Sequence, residues 1–141
     1  MAFFGAGEAK KATAAARLAG RLPAGQSLTD KWPILTYGDT PAVPTDRWRL
    51  KVVGLLEREL DLDWQQFLAL PQTTLTADFH CVTGWSRFDN AWEGVRFLDL
   101  MKEAGLRPEA KYVAMYCYGG YTTNLPLATM LDADVLLAHR H

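Results

Sequence analysis

Two cysteines and three histidines hold most of the reactive chemistry in this chain of 141 residues. Cys81 stands in the run Asp78-Phe79-His80-Cys81-Val82-Thr83-Gly84-Trp85-Ser86. A cysteine in such a run has three uses. Its thiolate is a soft metal ligand, or a nucleophile where a base lies within hydrogen-bond reach, or the thiol is a small buried apolar residue. His80 or His139 would be the base of a thiol enzyme, but neighbours on a strand point to opposite faces, so adjacency alone does not give His80 that role. Cys117, before Tyr118-Gly119-Gly120, shares the apolar reading. His139, Arg140 and His141 form a basic, imidazole-bearing stretch suited to phosphate or an anionic substrate, or to solvent. No Cys-x-x-Cys-His haem attachment run occurs, and two cysteines do not make a disulfide scaffold.

These groups need elements to position them. Glu8 to Ala19 is rich in helix formers and stops at Gly20, which predicts a helical N-terminal arm with a weak apolar face. Arg21 to Pro44, rich in Pro, Gly, Ser and Thr, predicts an irregular segment lying on a surface. Trp48 to Val53 alternates as a strand does, and Leu60 to Leu62 is its expected partner. Asp63 and Gln66 have the spacing of a capping box, with Leu62 and Phe67 at the positions of a hydrophobic staple. A second strand, Thr73 to Phe79, leads straight into His80-Cys81, where a rigid element would hold a functional loop. Val82 to Gly94 reads as irregular. Phe97, Leu98, Met101 and Ala104 recur at helical spacing before Gly105. Lys111 to Cys117 predicts a third strand, a short helix follows Pro126, and Val135 to Ala138 predicts a last strand. Thr122, Thr123 and Asn124 read as turn and cap residues. The mixture lacks regular βαβ alternation, so the expected fold class is α+β with mixed sheets.

Composition narrows the function classes. Hydrophobic residues are 49% of the chain and the formal net charge is -1, which supports a real core and excludes the basic face of a nucleic-acid binder. No run of about 18 apolar residues marks a membrane span. The Ala-rich N-terminus lacks the apolar stretch of a secretory signal, so the expected location is cytoplasmic.

Taken in order along the chain, the Cys81 run joins other features: Trp32-Pro33-Ile34-Leu35-Thr36-Tyr37-Gly38, Leu50 to Gly54, Asp63 to Pro71, Trp92-Glu93-Gly94-Val95, Gly119 to Leu127, and Asp134 to Ala138. Together they resemble the molybdopterin-binding oxidoreductase domain of the sulfite oxidase family, closest to its small bacterial and archaeal members. The resemblance implies a domain over residues 31–141 behind an arm of residues 1–30. It implies molybdopterin as cofactor, Cys81 as thiolate ligand to molybdenum and catalytic residue, and Trp32, Tyr37, His80, Thr83, Cys117 and Arg140 as residues near the cofactor. Some relatives carry Thr where Cys117 stands. The implied reaction moves an oxygen atom to or from a small sulfite- or sulfoxide-like substrate. Two electrons would pass through a haem or other electron-transfer protein. The vertebrate-type enzyme has an Arg-Asn-His run where this chain has Tyr37-Gly38-Asp39, so sulfite itself is not implied. Relatives also continue past the point matching His139, so the domain is expected to be truncated at its C-terminal end, and the alternative is a cofactor-free fragment acting as a binding module.

Overall fold

The computed structural model describes residues 5–141, and the part of the expected arm formed by Met1–Phe4 lies outside them. The chain divides into two compact units. Unit 1 holds residues 5–35 and 76–92, and unit 2 holds residues 36–75 and 93–141.

Unit 2 starts from a hairpin. Strands β2 (Arg49–Val52) and β3 (Leu60–Asp63) pair antiparallel, with Leu50 opposite Leu62 and Val52 opposite Leu60. These four turn toward the core, while Arg49 and Lys51 on the other side meet Asp61 at 2.9 and 3.8 Å. Helix α2 (Trp64–Ala69) follows at once. The capping box forms as its spacing predicts: Asp63 Oδ1 accepts from the Gln66 N–H at 2.8 Å, and Gln66 Oε1 accepts from the Asp63 N–H at 2.9 Å.

Helix α3 (Phe97–Ala104) buries Phe97, Leu100, Met101 and Ala104, the i, i+3, i+4, i+7 stripe of an amphipathic helix. With Leu56, Leu60, Leu127 and Met130 they form the core of the unit. Each large side chain fully buried in this way contributes about 1.5–3 kcal/mol. Gly105 closes the helix at φ 70°, a left-handed conformation that glycine adopts without strain. The Glu57 and Arg58 N–H groups reach the carbonyls of Gly105 and Ala104 at 2.7 and 2.9 Å, so the end of the helix is not left without donors. Strands β6 (Tyr112–Tyr116) and β7 (Thr122–Pro126) form a second hairpin, and helix α4 (Leu127–Met130) follows Pro126 as expected. The strand over Thr122 to Asn124 corrects the reading of these residues as turn and cap.

Unit 1 is organised by sheet strands and one helix. Helix α1 (Ala6–Leu18) buries none of its residues and is tied down by polar contacts. Thr13 Oγ1 accepts from the Leu28 N–H at 3.0 Å, and Arg17 donates to the Gln26 carbonyl at 2.7 Å. A two-residue strand, β1 (Ser27–Leu28), pairs parallel with Trp85 and Ser86, inside a segment expected to be irregular throughout.

Strands β4 (Gln72–Cys81) and β5 (Trp85–Arg96) are hydrogen-bonded neighbours, and each begins in one unit and ends in the other. In unit 2, β5 pairs antiparallel with β8 (Leu136–Arg140), with an irregularity between Glu93 and Gly94. β5 overturns the expectation of an irregular stretch over Val82 to Gly94. Its fully inward positions in unit 1 are polar, Ser86 and Asn90, so apolar alternation is absent. Asn90 Nδ2 donates to the carbonyls of Ala77 and Arg87 at 3.2 and 2.8 Å, and the Ser86 hydroxyl donates to Gln26 Oε1 at 3.1 Å.

Candidate cofactor site

In unit 1, β4 carries Cys81 to the start of a tight turn. The Gly84 N–H donates to the Cys81 carbonyl at 3.0 Å, closing Cys81-Val82-Thr83-Gly84 as a β-turn. Gly84 sits at φ 93°, which side-chain-bearing residues rarely adopt. The thiol is half-buried, and Val82 at the tip of the turn is 98% exposed. Cys81 Sγ lies 3.1 Å from Thr83 Oγ1. A thiolate can only accept, so in the charged form the Thr83 hydroxyl donates. This bond, helped by the Thr83 backbone N–H and opposed by desolvation, holds the thiol below its ordinary range.

The surrounding shell is aromatic. Trp32 packs against Phe79 at 5.0 Å between ring centroids, Trp85 at 5.6 Å and Trp92 at 5.7 Å. Each such pair contributes about 0.5–1.5 kcal/mol beyond burial. The Arg87 guanidinium lies 5.5 Å from the centre of the Trp32 ring. Asp78, three residues before Cys81, receives two bonds from Arg21 at 2.6 and 2.7 Å, and Asp89 receives a third at 2.5 Å. The guanidinium drives the Asp78 carboxyl below its usual range. Sequence reasoning did not single out Arg21, Gln26 or Ser86. Ser86 ends the Cys81 run but carries no pattern that announces a role, and Gln26 reaches Cys81 across 55 residues.

His80, beside Cys81 on β4, bonds through Nδ1 to Ser86 Oγ at 2.8 Å. The structure therefore ties His80 to Ser86 and Cys81 to Thr83, and pairs neither of these side chains with the other. Trp32, His80, Cys81 and Thr83 all lie in unit 1.

The remaining expected residues lie in unit 2. Tyr37, 77% exposed, meets Tyr121 edge-on at 5.3 Å. Cys117 is exposed and bonds through its backbone, its N–H to the Tyr121 carbonyl at 2.9 Å and its carbonyl to the Gly120 N–H at 3.1 Å. Tyr118 Oη accepts from the Arg49 N–H at 2.8 Å and donates to the Arg49 carbonyl at 3.2 Å. Arg140 is paired with Glu93 at 3.2 Å, its strand partner. His139 accompanies Trp64 and Phe67 beside a cavity of about 280 Å³ that Trp48, Leu137 and Ala138 also line.

Among the described residues, no three His, Cys, Asp or Glu side chains gather as a metal cage. The donor offered at Cys81 is a single soft sulfur. That donor set fits a metal whose other positions are filled by sulfur ligands brought by a cofactor. Trp85 Nε1, next to the turn, is a buried donor with no partner, which a bound group or water would satisfy.

The sequence profile of the oxidoreductase molybdopterin binding domain family matches residues 37–141. The chain belongs to this family. Its cofactor is molybdopterin, and its fold is of the sulfite oxidase kind, α+β as the sequence predicts. This oxidoreductase domain is 42% identical over 123 residues to the uncharacterized oxidoreductase YuiH of Bacillus subtilis strain 168, a match covering 86% of this chain and 62% of that protein. It is 23% identical over 139 residues to the NADH nitrate reductase of Volvox carteri, covering 76% of this chain and 16% of that enzyme. The sulfane dehydrogenase SoxCD of Paracoccus pantotrophus superposes with a TM-score of 0.59 at 25% identity, over 70% of this chain and 30% of that one. The matches thus span from a sixth to under two thirds of these relatives. Among the described residues, no helix is long and apolar enough to cross a membrane.

Proposed function

We propose that this domain belongs to an oxidoreductase that moves one oxygen atom to or from a small substrate, with Cys81 as the protein ligand to molybdenum. The observation that carries the reading is the Cys81 turn: a half-buried thiol, lowered by Thr83, at the end of a long strand and inside the family-matched stretch. The names of the relatives, a sulfane dehydrogenase and a nitrate reductase, support a small sulfur- or oxygen-bearing substrate of the sulfite or sulfoxide class. When bound, the cofactor supplies the redox chemistry, with one oxygen atom transferred and two electrons exchanged through a haem or other carrier on a partner protein.

The chain's own residues bind and orient. The Thr83 hydroxyl, donating to Cys81 Sγ, favours its charged, ligating form. Trp32, Phe79 and Trp85 give the turn a stiff apolar backing. Trp32, His80 and Thr83, and separately Tyr37, Cys117 and Arg140, are proposed as residues that bind the cofactor. Arg140 supplies a guanidinium for its phosphate once released from the exposed pair with Glu93. The proposed division is a helical arm, 1–30, on a cofactor domain, 31–141, and the proposed location is cytoplasmic.

The test is metal content. Expressed in a host that makes molybdopterin, the protein is expected to carry near-stoichiometric molybdenum, and Cys81→Ser is expected to lose it while keeping the wild-type circular dichroism spectrum. A metal-free wild-type protein would favour the cofactor-free binding module instead. A Cys81→Ser protein that keeps both metal and oxygen-transfer turnover would remove Cys81 from the ligand role.

A further inference from the structure

The Cys81 carbonyl accepts two hydrogen bonds, from the Gly84 N–H at 3.0 Å and from Gln26 Nε2 at 2.9 Å. A carbonyl has two lone pairs and cannot donate. The side of the Gln26 amide that faces it must therefore be the NH2 group. The other side, Oε1, then faces Ser86 and accepts from its hydroxyl at 3.1 Å. Ser86 is fully buried, and its single proton is committed to Gln26. Its oxygen is left as an acceptor toward His80 Nδ1, 2.8 Å away. Nδ1 must carry a proton. Every polarity in this relay follows from the backbone carbonyl at its end.

We infer that Gln26 and Ser86 are positioning residues for the Cys81 turn, and that they hold neutral His80 as its Nδ1–H tautomer with Nε2 bare. Without such a partner, neutral histidine favours the opposite tautomer. The relay makes His80 Nε2 a hydrogen-bond acceptor and takes up the lone pair of the Cys81 carbonyl that the Gly84 N–H leaves open. The Cys81 side chain is left out of the relay, so the backbone is gripped while Sγ stays with Thr83. The significance of that grip for a metal ligand rests on the proposed function. The tautomer does not, because it follows from hydrogen bonds within the chain.

The experiment is a long-range proton–nitrogen correlation spectrum of the imidazoles in the 15N-labelled full chain, without metal and at a pH where histidine is neutral. His80 is expected with a protonated, pyrrole-type Nδ1 and an unprotonated Nε2. Gln26→Met does not touch the imidazole, yet it frees the Ser86 hydroxyl to turn and donate to Nδ1. His80 should then pass to a mixture in which Nε2–H predominates. Ser86→Ala, the loss of one oxygen atom, should do the same, and wild-type circular dichroism establishes that each variant is folded. A purely structural role for residue 26 would leave the tautomer alone. Wild-type His80 found as Nε2–H overturns the inference, as does a folded Gln26→Met protein that keeps Nδ1–H. Should Gln26→Met fail to fold, the wild-type and Ser86→Ala spectra decide. Failure of molybdenum binding would leave these spectra unaffected, so the two readings fail separately.

Discussion

The chemistry of the Cys81 turn is set by neighbours two residues away or less in one direction and by distant ones in the other. Thr83 acts on the thiol directly, and its effect has a definite sign. Donors to a thiolate favour the charged form, so the Cys81 thiol sits low. Thr83→Val deletes the leading donor and should raise it. The rate of Cys81 alkylation against pH is therefore expected to move to higher pH in Thr83→Val, with the plateau reached later, and an unmoved profile would deny Thr83 this role. The motif around Cys81 was legible in the sequence because its residues are contiguous. What holds it was not. Arg21, Gln26 and Ser86 are ordinary polar residues whose partners appear only once β4 and β5 lie side by side.

Elements were legible wherever burial follows a period. Helix α3 and its glycine stop stand as the spacing predicts, with Leu100 in place of Leu98 in the buried stripe of Phe97, Met101 and Ala104, and the capping box of α2 forms on both sides. Strand β5 was missed because Ser86 and Asn90 turn inward, and a polar residue inside looks in sequence like a polar residue in a loop. The same strand makes a sharp prediction. A Cβ on Gly94 would stand under 3.0 Å from the Leu137 carbonyl oxygen and carbon and the Ala138 Cα, all backbone atoms that cannot swing aside. Gly94→Ala should therefore cost about 1–3 kcal/mol, with faster amide exchange in Leu136–Arg140. Denaturant melts and hydrogen exchange check this, and an unchanged midpoint would mean that the bulge absorbs the methyl group.

At the scale of the molecule, one apolar core in unit 2 and one aromatic cluster in unit 1 do the packing. Leu100 is 2% exposed at the centre of the apolar core. Leu100→Ala is expected to cost about 2–5 kcal/mol, a large part of the roughly 5–15 kcal/mol that holds a domain together. Equilibrium unfolding in urea measures it, and a loss below about 1 kcal/mol would mean that the core collapses around the gap.

Unit 1 is drawn from both sides of residues 36–75, and this bears on how the protein can be taken apart. Cloning boundaries are commonly placed where the match to a family profile begins, which here is residue 37. A gene trimmed there would still encode His80, Cys81 and Thr83. It would discard Arg21, Gln26 and Trp32, the three side chains that clasp Asp78, the Cys81 carbonyl and Phe79. The stretch that the family profile matches is therefore smaller than the stretch that physics requires, and the missing half of that unit would have to be supplied as a separate peptide.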